Sequence, residues 1–237
     1  DFFSQSVEYL DTKWYPNKKM HFTAPLFKLK KYLKDNDLKS LVIGISGGID
    51  SAVTSTLCGM TGYKTIAVIM PILQNPDHTK RGEDHCDWLK KKYNNVQSVT
   101  IDLTHAYNET LKSIPEKFQN NLSSANMRAR LRMSALYMVS GAEQGVVVGT
   151  GNKVEDFGVG FFTKYGDGGV DISPIADLMK SEVYGLGKKL NIIDSIINAR
   201  PTDGLWNDGR TDEDQLGVSY DELEWAMQYN DEEIDAK

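Results

Sequence analysis

The segment with the most direct chemical potential is an eight-residue run of small and polar side chains. It consists of Gly44, Ile45, Ser46, Gly47, Gly48, Ile49, Asp50 and Ser51. Gly47 and Gly48 permit a tight turn and let backbone amides approach a ligand without side-chain obstruction. The two serines add hydroxyl donors for phosphate oxygens, and Asp50 can hold the Mg²⁺ that accompanies a triphosphate. The run therefore predicts a site for the phosphates of ATP.

The elements around this run support that prediction. A strand over Leu41–Ile45 precedes it, and a helix near 50–60 follows it. The unpaired amides and the positive dipole end of such a helix attract anions. A glycine turn before a helix capped by Asp50 or Ser51 is the alternative interpretation. No Gly-Lys-Ser/Thr follows, so the run is not a Walker A motif.

Short β-branched runs alternate with helical patterns along the rest of the chain. Strands are expected at Leu41–Ile45, Thr65–Met70, Val96–Ile101 and Gly145–Val148, and helices near 25–36, 50–60, 81–93, 104–113, 122–140, 178–189 and 219–229. This alternation is typical of an α/β fold with a doubly wound, mostly parallel sheet and helices on both faces. We find no internal repeat or linker, so residues 1–237 are expected to form a single domain.

Composition excludes several classes of protein. The chain has 237 residues, of which 40% are hydrophobic and 25% charged, and its net charge is −6. A protein that grips nucleic acid normally has a basic surplus, so none is expected as a partner. No apolar run approaches the length of a membrane span, and the first residues do not resemble a secretory signal. Cys58 and Cys86 suit reduced thiols, and the cytoplasm is the expected location.

The phosphate-binding run resembles the loop of enzymes that cleave ATP between the α- and β-phosphates. Further motifs resemble the ammonia-dependent NAD synthetases within that superfamily. They are Asn126–Met133, Gly149–Glu155, Gly160–Asp171, Lys180, Pro201-Thr202 and Gln215–Glu222. The resemblance spans about residues 20–230 and implies an adenine nucleotide alpha hydrolase-like fold. It also implies the form that takes free ammonia, without a glutaminase domain.

The resemblance implies a function and a set of site residues. The reaction is amidation of nicotinic acid adenine dinucleotide (deamido-NAD) to NAD, through an NAD-adenylate and with release of AMP and pyrophosphate. The implied positions are Gly44–Ser51, Thr150, Lys180 and Thr202 for ATP, Asp50 and Glu155 for Mg²⁺, Arg130, Lys164 and Asp171 for deamido-NAD, and Asp167 for ammonia.

Elementary chemistry agrees with these roles. A carboxylate is a poor acyl donor until adenylation gives it a leaving group. Mg²⁺ and Lys180 can offset the negative charge that develops at the phosphates. Ammonium must lose a proton before or during attack, and a carboxylate such as Asp167 can accept it. The guanidinium fork of Arg130 can grip a phosphate.

Other interpretations remain open at this point. The stretch between Glu155 and Gly160 is one residue longer than is usual in the family, so Asp156 could replace Glu155 as the metal ligand. A tRNA-modifying adenylating enzyme and a catalytically silent ATP-binding module could share the same loop. The acidic charge and the lack of paired cysteines disfavour the first, while Asp50, Glu155 and Lys180 together disfavour the second.

The helix near 122–140 predicts assembly. Its apolar residues Leu122, Ala125, Met127, Ala129, Met133, Leu136, Tyr137, Met138 and Val139 cover much of its circumference. One face would meet the sheet, and the other would need a partner. A homodimer is therefore expected, with Leu136 among its interface positions, and the resemblance implies a dinucleotide bound at the subunit boundary.

Overall fold

The computed structural model describes residues 23–202 and 210–228, and within these ranges helices and strands alternate. The helices are α1 Thr23–Asp35, α2 Ile49–Met60, α3 Pro76–Lys92, α4 Thr104–Ser113, α5 Asn121–Ala142, α6 Lys180–Lys189, α7 Asp194–Ile197, α8 Asp212–Leu216 and α9 Tyr220–Gln228. The strands are β1 Ser40–Gly44, β2 Lys64–Ile69, β3 Val96–Thr100 and β4 Gly145–Val148. A 3₁₀ turn, Glu116–Phe118, and a π-helix, Lys153–Val159, complete the regular structure.

The four strands described form one parallel sheet in the order β3-β2-β1-β4. Val42 lies at the centre of the register, opposite Ile66 on one side and Val147 on the other. Each strand falls within a residue of its predicted bounds. For β1, β2 and β4 the reason is that buried parallel strands are largely continuous apolar runs. The predicted parallel sheet is confirmed.

Alternate residues of β1 face two separate hydrophobic clusters. Leu41 and Ile43 pack with residues of α1, α2 and α6, whereas Val42 packs with Met133 and Leu136 of α5. Helices therefore cover both faces of the sheet, which confirms the doubly wound α/β prediction. A strand buried on both faces has no polar side, which is why β1 lacks the alternation of a surface strand.

The order of the strands determines where a ligand can bind. The chain runs from β1 to β2 and β3 on one side and then returns to β4 on the other side of β1. The loops after β1 and β4 therefore leave two neighbouring strand ends in opposite directions. Such a place, where the strand order reverses, is called a topological switch point, and the crevice outside it is the usual ligand site of open α/β sheets. The segment after β4 returns beside it, where Val148 pairs with Ile172 in a parallel bridge.

Helix α5 is apolar on more than one side, as predicted. Ala125, Met133 and Leu136 are buried, whereas Leu122 and Met138 are 63% and 81% exposed. Leu136 packs on the sheet and belongs to the core, so the expectation that it is an interface position is wrong. The spacing of apolar residues did not distinguish the face that meets the sheet from the exposed one.

Within the described ranges, no helix combines the length and apolarity that crossing a bilayer would require. The expectation of a single domain over 1–237 extends to residues 1–22, 203–209 and 229–237, which lie outside the described residues, and it stays a prediction.

Candidate active site

A cavity of about 440 Å³ opens at the carboxyl ends of β1 and β4. The whole predicted phosphate loop, Gly44–Ser51, lines it. Thr150 and Thr202, both predicted to contact ATP, also line it, and the Thr202 hydroxyl donates to the carbonyl oxygen of Arg210 at 3.1 Å. The cavity therefore lies at the switch point of the sheet and brings together residues that are far apart in sequence.

The phosphate loop is a tight turn between β1 and α2. Gly47 has a φ of +83°, and a Cβ built on it would lie 2.6 Å from the carbonyl oxygen of His78, so only glycine fits. The hydroxyls of Ser46 and Ser51 lie 3.1 Å apart and brace the turn from inside. No side chain caps α2, whose N-cap is Gly48. The interpretation as a helix capped by Asp50 or Ser51 is thus not what the structure shows, and the first residues of α2 line the cavity.

Lys180 forms the centre of the site, together with Asp50 and Glu155. Its Nζ donates to Asp50 Oδ2 at 2.6 Å and to Glu155 Oε1 at 2.7 Å. The lysine side chain is only 4% exposed, and the carboxylates are 17% and 15% exposed. Three segments separated by 25 and 130 positions in sequence therefore meet at one buried ammonium group.

The charged groups of Lys180, Asp50 and Glu155 shift one another's pKa values. Burial alone would lower the pKa of Lys180, but the two carboxylates raise it well above its usual range. Burial raises the pKa of Asp50, because Lys180 compensates it only in part and Glu155 adds a like charge. Burial also opposes ionisation of Glu155, yet Lys180 and the hydrogen bonds it receives hold its pKa below the ordinary value. One ammonium shared by two carboxylates leaves a site that favours a further cation.

Asn152, to which the sequence analysis gave no role, ties two members of the centre together. Its side chain is fully buried, and its Nδ2 donates to Asp50 Oδ1 at 2.9 Å. Its Oδ1 accepts from the backbone N–H groups of Val154 and Glu155, both at 3.0 Å, and so caps the π-helix. Asparagine is a favoured N-cap residue, which is the only local signal the sequence offered.

Tyr220 and Asp212, near the end of the described chain, lie next to Glu155. The Tyr220 hydroxyl lies 2.5 Å from Glu155 Oε1 and 3.3 Å from Asp212 Oδ2. The ammonium of Lys180 lies 5.0 Å from the centroid of the same ring, in cation–π distance. Tyr220 was noted only as part of a family motif, and its position beside Glu155 depends on the packing of α9 against the π-helix.

Asp167 lines the cavity at a turn that follows the π-helix. Its Oδ1 accepts from the backbone N–H of Thr163 at 3.0 Å. The hydroxyl of Thr163 donates to Asn126 of α5 at 2.7 Å, and a Cβ on Gly166 would lie 2.9 Å from the Cβ of Ala129. The turn is therefore pressed against α5, and Asp167 reaches the cavity from that side.

The three residues predicted to bind deamido-NAD lie outside the cavity lining, along α5. Arg130 Nε donates to the carbonyl oxygen of Lys164 at 3.1 Å, and Lys164 is exposed. Asp171 accepts from the Tyr137 hydroxyl and from the backbone N–H of Val147, each at 2.8 Å. The structure thus groups them on one side of the molecule, apart from the Lys180 centre.

Comparison with known proteins decides the family. The family model described as NAD synthase matches residues 24–237. The NH3-dependent NAD+ synthetase of Finegoldia magna is 37% identical over 203 residues, covering 85% of this chain and 81% of that protein. The enzyme of the same name from Methanosarcina acetivorans is 41% identical over 184 residues, covering 76% of this chain and 69% of that protein. The chain belongs to the NAD synthase family.

Solved structures agree with this assignment. The NMN synthetase of Francisella tularensis superposes with a TM-score of 0.78 at 34% identity and covers 90% of both chains. The NH3-dependent NAD synthetase of Campylobacter jejuni gives 0.67 at 30% identity and covers 74% of both chains. The predicted family, its α/β fold and the predicted type of activity, an ATP-dependent ligase that forms a C–N bond, are confirmed.

The stretch between Glu155 and Gly160, which was expected to be one residue longer than is usual in the family, lies in the π-helix Lys153–Val159. A π-helix has one more residue in each hydrogen-bonded turn than an α-helix, and such turns are frequent at functional sites. Within this helix it is Glu155 that accepts from Lys180 Nζ, at 2.7 Å. Asp156 also lines the cavity, where its Oδ2 lies 1.7 Å from the position of a Cβ on Gly151. Burial, with Asp167 and other nearby carboxylates, raises the pKa of Asp156 to about 7.

The donor set fits Mg²⁺. Asp50 and Glu155 offer carboxylate oxygens, which Mg²⁺ prefers, and the cation is usually held by one or two carboxylates together with substrate phosphates. No cluster of three or more His, Cys, Asp or Glu side chains within residues 23–202 and 210–228 could hold a metal unaided. A site with two carboxylates beside a phosphate loop suits a cation that arrives with ATP.

Proposed function

We propose that this chain converts deamido-NAD to NAD by ATP-dependent amidation with ammonia. The nicotinate carboxylate first attacks the α-phosphorus of ATP, forming an NAD-adenylate and releasing pyrophosphate. Ammonia then attacks the carbonyl carbon and releases AMP. The observation that carries the proposal is the buried ammonium of Lys180, held between Asp50 and Glu155 in the wall of the cavity beside the phosphate loop.

The adenylation half of the reaction uses the Lys180 centre. The amides and hydroxyls of Gly44–Ser51 bind the phosphates, and Thr150 and Thr202 contact the nucleotide from the opposite wall. Lys180 is held in a site with little water, where its charge acts strongly on the negative charge that develops during phosphoryl displacement. Asp50 and Glu155 would hold Mg²⁺, which when bound neutralises phosphate charge.

The amidation half uses Asp167. Ammonium is the main form of ammonia near neutral pH, and it becomes a nucleophile only after losing a proton. Asp167 lies at the cavity on the turn next to α5, and its carboxylate accepts that proton. Adenylation would therefore take place beside Lys180, and amidation beside Asp167 in another part of the same cavity.

Deamido-NAD is bound along α5 in this proposal, by Arg130, Lys164 and Asp171. On α5, the hydroxyl of Tyr137 contacts Asp171, and Tyr137 and its neighbour Met138 are 40% and 81% exposed. Large exposed apolar side chains favour contact with a second copy of the chain. We therefore propose a homodimer that binds the dinucleotide at its subunit boundary.

The remaining proposals concern partners and location. A net charge of −6 disfavours nucleic acid as a partner. Cys58 and Cys86 are buried free thiols, which is typical of a reducing compartment. We accordingly place the reaction in the cytoplasm.

The test is an assay of products with ATP, Mg²⁺, ammonia and deamido-NAD. We expect stoichiometric NAD, AMP and pyrophosphate. Release of pyrophosphate that requires tRNA instead would support a tRNA-modifying enzyme. ATP binding without release of pyrophosphate under any condition would support a silent module.

Nicotinic acid mononucleotide is a second candidate substrate. It is favoured by the likeness to the Francisella NMN synthetase, which covers 90% of both chains. The mononucleotide carries the same reacting carboxylate but lacks the adenylyl half, so Lys180 and Asp167 would act in the same way. A comparison of kcat/KM for the two nucleotides decides between them, and a higher value for the mononucleotide would replace the first proposal.

A further inference from the structure

Two side chains of α3 line the cavity without a role in the reaction described above. They are His78 and Arg81, which lie three residues apart and therefore on the same face of the helix. Their helix begins at Pro76, after Asn75, whose side chain accepts from the backbone N–H of Asp77 at 2.9 Å. The first turns of α3 thus adjoin the cavity.

Helix α3 touches the phosphate loop directly. A Cβ on Gly47 would lie 2.6 Å from the His78 carbonyl oxygen and 3.3 Å from the Arg81 Cβ. A Cβ on Gly82 would lie 3.4 Å from the Ile45 side chain. These distances show that α3 packs closely against the loop, so the Arg81 side chain begins beside Gly47.

The guanidinium group of Arg81 is only partly used by the protein. Its Nε lies 3.4 Å from the carbonyl oxygen of Gly47, a long hydrogen bond. Within residues 23–202 and 210–228, its two terminal nitrogens have no hydrogen bond or ion pair. Arg132, which also lines the cavity, is by contrast engaged with the Met70 carbonyl oxygen at 2.9 Å and with Gln74 Oε1 at 2.8 Å.

Of the two α3 side chains that line the cavity, His78 and Arg81, only Arg81 carries a charge. Burial lowers the pKa of His78, and the positive charge of Arg81 lowers it further, so the His78 ring is neutral at neutral pH. A guanidinium fork suits two phosphate oxygens, and a neutral imidazole can donate one more hydrogen bond. His78 and Arg81 therefore place one positive charge in the cavity lining, beside the phosphate loop.

We propose that Arg81, with His78 beside it, binds the β- and γ-phosphates of ATP and holds them as the pyrophosphate leaves. The proposal rests on the proposed function, because only cleavage between the α- and β-phosphates makes pyrophosphate the leaving group. In this proposal Lys180 stabilises charge at the α-phosphate, and Arg81 binds the leaving pyrophosphate from the other side of the loop.

Binding of two products tests this division. Isothermal titration calorimetry would measure pyrophosphate and AMP separately, each with Mg²⁺, on the wild type and on Arg81→Met. We expect pyrophosphate to bind at least tenfold more weakly to the variant and AMP to change less than twofold. Lys80→Met is the matched control, because Lys80 is the preceding residue, is exposed and pairs with Asp84. It should change neither affinity, and Arg81→Lys should recover part of the loss.

Two results would overturn the proposal. Unchanged pyrophosphate affinity in Arg81→Met would show that the guanidinium does not touch the leaving group. Equal weakening of pyrophosphate and AMP would show that Arg81 acts by shaping the loop through Gly47. If the wild type makes NAD and either result is obtained, only this proposal fails. A wild type that neither binds pyrophosphate nor makes NAD contradicts the proposed function as well.

Discussion

The Lys180 centre and the exposed side of α5 differ in how far a single chain completes them. At the centre, Lys180 is buried between the half-buried Asp50 and Glu155, and Asn152 and Tyr220 hold the two carboxylates by hydrogen bonds. Along α5, the polar groups predicted to bind deamido-NAD are exposed and lie beside large apolar side chains.

In the function proposed above, this difference would divide the two halves of the reaction. ATP would meet groups that one chain has already oriented and desolvated, so that little reorganisation is needed when it binds. Deamido-NAD would meet a surface that a second copy of the chain completes. Substitutions in the first region should therefore affect adenylation, and substitutions in the second should affect dinucleotide affinity.

Lys180→Met should have the largest effect. It removes the charge that acts on the phosphates and leaves Asp50 and Glu155 facing each other. We expect adenylation to fall about 10³-fold, and the loss of one partner of a buried ion pair to cost about 3–5 kcal/mol of unfolding free energy. Pyrophosphate release and urea denaturation measure the two effects. Lys188→Met, on the exposed side of the same helix, should change neither.

Asp167→Asn should separate the two steps. Adenylate and pyrophosphate should still form, while production of NAD falls by about 10²-fold at neutral pH. The deficit should shrink at alkaline pH, because free ammonia then needs no base. Rapid-quench measurement of both products provides the test, and equal loss of both steps would make Asp167 a binding or structural residue.

Asn152→Asp should weaken the centre without removing the cap of the π-helix. Aspartate keeps an oxygen for the two backbone N–H groups, but it replaces the donor to Asp50 with a like charge. We expect about a tenfold loss of adenylation with a higher Mg²⁺ requirement, as is typical of residues that orient metal ligands. Mn²⁺ binding followed by electron paramagnetic resonance gives an independent readout. Unchanged metal affinity and activity would mean that Asn152 serves only the fold.

Met138→Asp should have the smallest effect on chemistry, because its side chain lies far out on α5. Burying a charge at a dimer interface is unfavourable, so we expect monomers by light scattering. The KM for deamido-NAD should rise about fivefold, equivalent to about 1 kcal/mol, and ATP binding should persist. Phe27→Asp on α1 is the matched control, since Phe27 is also largely exposed. A wild-type mass near that of one chain would contradict the dimer itself.

The sequence predicted the sheet and the phosphate loop well because both depend on local patterns. The centre of β1 is a continuous apolar run, and Gly47 of the loop is required by a turn that no other residue fits. The helix predicted near 81–93 begins five residues earlier, at Pro76. Asn75 and Pro76 form an ordinary helix start, which is a local signal in the sequence.

The rest of the site could not be predicted from local patterns. The π-helix has no helical pattern of apolar residues, and it is fixed by the contact of Asn152 with Asp50, 102 positions away. Tyr220 reaches Glu155 across 65 positions. Leu136 was assigned to the wrong face of α5, because apolar spacing alone does not show which side meets the sheet.

The exchange of radioactive pyrophosphate into ATP, with deamido-NAD and Mg²⁺ but without ammonia, tests the central claim most directly. If the Lys180 centre completes adenylation independently of the ammonia step, exchange should proceed and should stop in Lys180→Met. Asp167→Asn should still support it. Absence of exchange in the wild type, or formation of ADP and phosphate instead, would contradict the account.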